Sequence, residues 1–323
     1  MAHDSNRSSS GPKHKNRGKS AGSRSAGSGG GGGKSGAKRQ GGKKAGGPRH
    51  HNNRADGGRH QGNQRHSGKH QDQARGFWLY GGHATAEAIL NPARRIHRVV
   101  LTEAGLATIE PVLQKAAQVG LGRPHHDLLN NSQFAETITD APGNGGIAID
   151  VSPLQQPDLP SLLDDLPADA PAMLVVLDQV TDPHNIGAII RSAAAFKALA
   201  VVAQDRNAPE ETAVMTKIAS GGMEHMPYVK VTNISRTLTW LQGHDFTTYG
   251  LDERGDASLE AMQFNGRSAI VLGAEGSGLR RLVSERCQRM ISLPTHAPIQ
   301  SLNVSNAAAV TLYAWSMGSA ADS

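Results

Sequence analysis

Between Met1 and Phe77 the chain contains no valine, leucine, isoleucine, methionine, phenylalanine, tryptophan or tyrosine. A segment with nothing apolar larger than alanine or proline cannot bury enough surface to offset the entropy of ordering its backbone. Disorder is therefore expected over residues 1–76. Half of the chain's 38 glycines lie there, including the run Gly29–Gly33. The same stretch holds 17 Lys and Arg against three Asp, a net charge of +14, whereas the remainder carries −8. The chain reads as a basic arm on a mildly acidic body.

This partition excludes several classes. The arm has no apolar region of the kind a secretory signal needs. The body has no uninterrupted apolar run approaching about 18 residues, so no transmembrane span and no membrane partner are expected. The one cysteine, Cys287, excludes an internal disulfide framework and an all-thiolate metal site, and it suits a reducing, cytoplasmic setting. The arm's histidines (His50, His51, His60, His66, His70) have no fixed geometry to hold a metal, so they read as a solvated, titratable tail. The G-x-S-x-G match at Gly18–Gly22 has no strand before it and is discarded as a nucleophile turn.

Apolar patterning begins at Phe77-Trp78-Leu79-Tyr80. Residues 77–151 form a small α/β unit: helices are expected over Gly82–Leu90, Ile109–Val119 and Asn131–Thr139, and strands over Arg98–Leu101 and Gly146–Val151. Residues 152–171 carry five prolines and are acidic, which reads as a linker with room for one helical turn at Leu162–Leu166. From 172 to 318 strands and helices alternate, beginning with the all-apolar strand Met173–Leu177 and the Ala-rich helix Ile186–Phe196. That alternation predicts an α/β domain with a parallel sheet covered on both faces. Residues 319–323 are a short tail.

No G-x-G-x-x-G follows a strand and no complete P-loop is present, so ordinary nucleotide-binding signatures give no support. Three other segments stand out. Leu177–Arg191 runs strand, polar loop, helix, with Asn185 at the helix start, Gly187 allowing close backbone approach and Arg191 two turns in. Val271–Leu279 is a buried strand followed by three glycines around one carboxylate, Glu275. Ile291–Ala308 is a strand, a loop and a polar cluster (Ser301, Asn303, Ser305, Asn306) that opens a last helix. Taken singly, each is ordinary helix capping or a common turn. Together they place polar groups and free N–H groups at the C-terminal ends of strands of one sheet, where open α/β sheets bind ligands.

In this order and spacing, Asn185-x-Gly187-x3-Arg191, Gly273-Ala274-Glu275-Gly276 and Ser301-Leu302-Asn303-Val304-Ser305 resemble the three motifs of the SpoU/TrmH branch of the SPOUT RNA methyltransferases. The likeness spans about 172–317. Tyr80-Gly81-x-His83-Ala84 and the unit that follows look like the ribosomal-protein-L30e-like substrate domain of the ribosomal-RNA members, which transfer-RNA members commonly lack. Related proteins often have His-Gln-Gly before the closing strand of that domain, where this chain has Asn144-Gly145-Gly146.

The resemblance implies a sheet with a deep C-terminal trefoil knot, S-adenosylmethionine as cofactor, methyl transfer to a ribose 2′-hydroxyl, and a homodimer with the site at the subunit interface. It further implies a guanosine of 23S rRNA as target, with no DNA partner. Carried over by motif position, the backbone at Gly273, Leu293 and Leu302 would hold the cofactor. Ser301 and Asn303 would line the transfer site, completed by Asn185, Arg191 and Glu275. Arg191 is expected to bind the target's phosphate and stabilise developing alkoxide charge, because guanidinium is effectively never a base in proteins. Glu275 would orient Arg191, and the hydroxyl proton would leave through phosphate, water or Asn303. The alternatives are a transfer-RNA ribose methyltransferase and a non-catalytic ribosome-assembly protein of the same fold. Retention of Asn185, Arg191, Glu275, Ser301 and Asn303 speaks against the second of these. The arm's cations suit non-specific phosphate contact.

Overall fold

The structure is a computed structural model that describes residues 76–139, 144–167, 169–298 and 301–319. The disorder expected of the arm, its histidines, Gly18–Gly22 and residues 320–323 of the tail lie outside the described residues.

The first described unit comprises β1 (Phe77–Tyr80), α1 (Gly82–Leu90), β2 (Ile96–Leu101), α2 (Glu103–Gln118), β3 (His126–Leu128), α3 (Asn131–Thr137) and β4 (Ile147–Val151). Its sheet runs β1-β4-β2-β3, antiparallel except for the β2–β3 pair. The two-residue alternation of the strands separates its two faces. Leu79, Val99, Leu101 and Ile149 pack under α1 and α2, while Tyr80, Val100 and Ala148 pack against Phe134 of α3. Helix α2 begins six residues before its expected start at Ile109. Thr102 caps it, its hydroxyl accepting from the Gly105 N–H at 3.1 Å, and most of the first turn is too exposed to carry an apolar period. Strand β3 is exposed throughout and gave no pattern to read. At the turn into β4, Asn144 Oδ1 accepts from the Gly146 N–H at 2.8 Å. Gly146 has φ 71°, and a Cβ there would collide with the Thr102 side chain, so glycine is required at that position.

The stretch expected as a linker carries α4 (Leu159–Asp164), which starts three residues before the turn expected at Leu162. Asp158 caps it, accepting from the Ser161 N–H at 2.9 Å, and Leu159 and Leu163 are buried against the second sheet. The prolines shape this stretch without keeping it off the core.

The second unit comprises β5 (Ala172–Asp178), α5 (Pro183–Ala195), β6 (Ala200–Gln204), α6 (Ala213–Ala219), β7 (Tyr228–Val231), α7 (Ile234–Gln242), β8 (Phe246–Leu251), β9 (Ala257–Ser258), β10 (Arg267–Gly273), α8 (Arg281–Ser284), β11 (Arg289–Ser292) and α9 (Val304–Ser319). All its strand pairs are parallel, in the order β7-β6-β5-β10-β8-β11-β9. Every residue of β5 is buried, as a strand covered on both faces requires. Met173, Val175 and Leu177 pack with apolar residues of α5, α6 and α9, and Leu174 and Val176 with those of α4, α7 and α8. The edge strand β9 has two residues, too few to show a period.

Because the strands are parallel, the C-terminal ends of β5, β8, β10 and β11 lie on one side of the sheet. The chain leaves β5 toward β6 and β7, then returns to lay β8 and later β10 on the other flank. That reversal creates a crevice at the strand ends.

Candidate active site

A cavity of 570 Å³ opens at that edge, walled by the ends of β8, β10 and β11, the loop Gly273–Gly278, and the segment entering α9. Its size falls within the range of about 300–1,000 Å³ usual for small-molecule sites. The loop lies so close to itself that a Cβ on Gly273 would collide with the backbone of Gly278 and Leu279. Gly276 and Gly278 have φ of 79° and 64°, and the Gly278 N–H closes the loop on the Ala274 carbonyl at 2.9 Å. The glycines thus leave backbone, rather than side chains, to form that wall.

The loop is anchored at its far end. Asp178, fully buried at the end of β5, accepts from the Arg280 backbone N–H at 2.9 Å, from its Nε at 2.7 Å and from its Nη2 at 2.6 Å. Arg280 Nη2 also reaches Gln204 Oε1 at the end of β6, at 2.8 Å.

At the rim, three side chains from distant segments meet. Asn185, in the first turn of α5, donates through Nδ2 to Glu275 Oε1 at 3.2 Å. Asn303 Nδ2 donates to the same oxygen at 2.5 Å and to Asn185 Oδ1 at 3.0 Å. Asn303 Oδ1 accepts from the Ser305 N–H at 2.8 Å and from its hydroxyl at 2.6 Å, so the same carboxamide caps α9. Glu275 Oε2 has no hydrogen bond to the described residues and stays available to a ligand.

Gly273, Glu275, Leu293, Ser301, Leu302 and Asn303 all line the cavity, and Asn185 touches it through Glu275 and Asn303. Arg191 stands apart. It is exposed on α5, six residues beyond Asn185, which puts it about 240° around and about 9 Å along the helix. Among the described residues of one chain Glu275 does not contact Arg191, which leaves α5 on another side from Asn185; the carboxylate's Oε1 takes its hydrogen bonds from Asn185 and Asn303. Both ends of the Asn303 carboxamide are hydrogen-bonded within the chain.

Asp252, Glu253 and Arg254, just past β8, complete the lining and were missed in the sequence. The strand Phe246–Leu251 was legible. What was not legible was its place beside β10, which turns the next three residues into site residues. Behind the site, burial first and the nearby charge of Asp178 second push the Cys287 thiol up to about 12. Among the described residues no cluster of His, Cys, Asp or Glu is arranged to hold a metal ion, and no helix is long and apolar enough to cross a membrane.

Chemically, the cavity offers an apolar wall (Leu251, Leu272, Ile291, Leu293, Val304), a cradle of backbone, and carboxylates at Asp252, Glu253 and Glu275. That set fits a ligand with a flat ring, hydroxyl donors and a positive charge.

Comparison with known proteins gives the same direction. Residues 172–313 match the SpoU rRNA Methylase family. The chain is 35% identical over 241 residues to the 23S rRNA (guanosine-2′-O-)-methyltransferase RlmB of Coxiella burnetii, covering 73% of this chain and 93% of that protein. It is 39% identical over 188 residues to RlmB of Escherichia coli K12, covering 57% of this chain and 76% of that one. Its fold is similar to the SpoU methyltransferase AviRb of Streptomyces viridochromogenes in complex with AdoMet. The TM-score is 0.61 at 21% identity, over 76% of this chain and 91% of that one.

Proposed function

The chain belongs to the SpoU rRNA methylase family, and on that premise we propose that its strand-end cavity holds S-adenosylmethionine and that the adjoining rim presents a ribose 2′-hydroxyl of 23S rRNA, a guanosine's, for methylation. The observation that carries this reading is the meeting of Asn185, Glu275 and Asn303 at the mouth of a glycine-walled cavity, from segments 28 to 118 residues apart.

The backbone at Gly273, Leu293 and Leu302 would hold the adenosine and methionine parts, with Ser301 beside the reacting end. When bound, the cofactor supplies an electrophilic sulfonium methyl. A ribose hydroxyl is a weak nucleophile, so the chain's task is to fix its position and take up its charge. Glu275 Oε2 accepts a hydrogen bond from the incoming hydroxyl, while Asn185 and Asn303 hold that carboxylate still. The proton leaves through the target's phosphate or water.

Arg191 serves the site of a second copy. Its place on α5 keeps it off its own cavity, and the neighbouring helix α9 exposes Val310, Tyr313 and Met317 on one side, an apolar stripe suited to a two-fold contact. There its guanidinium binds the target's phosphate and stabilises developing alkoxide charge. The small domain is read as the L30e-like substrate domain, the segment entering α9 as the thread of a trefoil knot, and the cytoplasm as the setting.

The test is transfer of tritium from labelled S-adenosylmethionine to undermethylated bulk RNA, separated into large-subunit, small-subunit and transfer fractions. Label in large-subunit RNA at a ribose is expected. Label confined to transfer RNA, or cofactor binding without transfer to any fraction, would overturn the substrate. Mixing Arg191→Ala with Glu275→Ala protomers tests the shared site: each alone turns over at least about 100-fold more slowly than wild type, and the mixture regains activity only if Arg191 acts across the dimer.

A further inference from the structure

We propose that Arg94 is a positioning residue that couples the small domain to Arg191, an inference that rests on the reading above for the role of Arg191. Arg94 lies in the turn after α1, and its side chain has no exposed surface. Its Nε lies 3.1 and 3.2 Å from the two carboxylate oxygens of Glu224, and its Nη2 2.6 Å from Glu224 Oε1 and 2.7 Å from Glu211 Oε1. Nη1 donates to the Ser152 carbonyl at 2.9 Å. Asn91 Nδ2 also donates to Glu224 Oε2, at 2.7 Å. The side chains of Glu211 and Glu224 are 6% and 0% exposed. Burial works against the charge on Arg94, but the hydrogen bonds and charges of Glu224 and Glu211 together outweigh it and hold the guanidinium above its usual range.

The two carboxylates belong to the second unit, and both sit on elements that lie flush on α5. Glu211 immediately precedes Thr212, the cap of α6, and Glu224 ends the 3-10 turn Gly222–Glu224. A Cβ on Gly187 of α5 would stand 2.6 Å from the Met215 carbonyl oxygen of α6. A Cβ on Gly222 would stand 3.2 Å from the Cα of Arg191 itself. Each element therefore touches α5 backbone to backbone, with no flexible side chain between them to absorb a shift. A movement of the small domain pulls on Glu211 and Glu224, and through Gly187 and Gly222 it displaces the part of α5 that carries Arg191. None of these groups lines the cofactor cavity. The coupling therefore acts on the RNA side of the reaction alone.

Arginine is required for this because its planar fork fixes both carboxylates at once, whereas lysine offers a point charge on a flexible stem. The experiment uses the full chain as wild type, Arg94→Lys, Arg191→Ala and the double variant. Three quantities are read: hydrogen exchange of the α5 and 220–225 amides, kcat and KM on undermethylated 23S rRNA, and S-adenosylmethionine affinity by calorimetry. Arg94→Lys is expected to speed exchange in both segments and to lower kcat about ten-fold, the scale of coupling through a packed network. Cofactor affinity stays within about two-fold, and in the Arg191→Ala background the same substitution costs less than about two-fold more.

Unchanged exchange in α5, a change in KM alone, or the same kcat loss in both backgrounds would overturn the proposal. Should wild-type protein transfer no methyl group to any RNA, the functional reading falls, and the exchange measurement still decides the coupling. Glu224→Gln, which keeps an acceptor opposite Arg94, carries the same expectations and replaces Arg94→Lys if that variant does not fold.

Discussion

Replacing Arg280 by methionine strands the buried carboxylate of Asp178. Of the three hydrogen bonds that Asp178 accepts from Arg280, only the one from the backbone N–H survives. Removing one partner of a buried ion pair costs about 3–5 kcal/mol. The Arg280 side chain is 40% exposed, so water can approach one side of the pair, which sets the expected loss near the lower end, about 3 kcal/mol. For a folded region of this size that is a drop in Tm of about 6–12 °C. The reverse substitution, Asp178→Asn, leaves a guanidinium that water can solvate and an amide oxygen that still accepts, so it costs about 1–2 kcal/mol. The double variant removes the stranded charge and is expected to melt above Arg280→Met alone. Thermal unfolding followed by circular dichroism measures all three. Calorimetry with S-adenosylmethionine should show weaker binding by Arg280→Met, since Arg280 anchors the glycine loop. Melting of Arg280→Met within about 2 °C of wild type, or a double variant whose loss is the sum of the singles, would refute the reasoning.

Three further outcomes are expected. Gly273→Ala places a methyl group against the Gly278 and Leu279 backbone, so cofactor binding is lost while circular dichroism stays that of a folded chain; calorimetry decides it. Arg191→Ala lowers turnover at least about 100-fold, the scale of losing one donor to a developing oxyanion, with cofactor affinity unchanged; near-normal turnover would remove Arg191 from the mechanism. At pH 8 a thiol pKa raised from 9.0 to about 12 leaves Cys287 alkylated about 1,000-fold more slowly in native than in denatured protein, because only the thiolate reacts. A native rate within about ten-fold of the denatured one would contradict that burial.

The sequence made the second domain legible because its strands are short, largely apolar and separated by capped helices: β5, α5 and β7 could be placed within a few residues. The three motifs were legible as neighbours because parallel strands put their C-terminal ends on one side. Sheet order was not legible, since nothing in Phe246–Leu251 says that it lies beside β10, and with it went Asp252 to Arg254. The Arg94 cluster was equally hidden. Its partners lie 117 and 130 residues away, and an arginine after Asn91-Pro92 looks like any surface residue. The position of Arg191 was half legible: its helix was read, but its side of that helix relative to Glu275 depends on how α5 lies on the sheet.

The strand order also sets a timetable. Strand β5 leaves the ribosome 95 residues before β10, the strand that comes to cover one of its two edges. At about 5–20 residues per second, translation leaves that edge open for roughly 5–20 s. Strand β6, itself flanked by β7, can close the other edge first, but the row of backbone donors and acceptors along Ala172–Asp178 that faces β10 stays open to any passing strand until β10 arrives. The insertion that brings the glycine loop beside Asp178 therefore makes the half-synthesised chain a client for whatever binds unpaired strand edges, and slower translation through residues 179–266 lengthens that exposure.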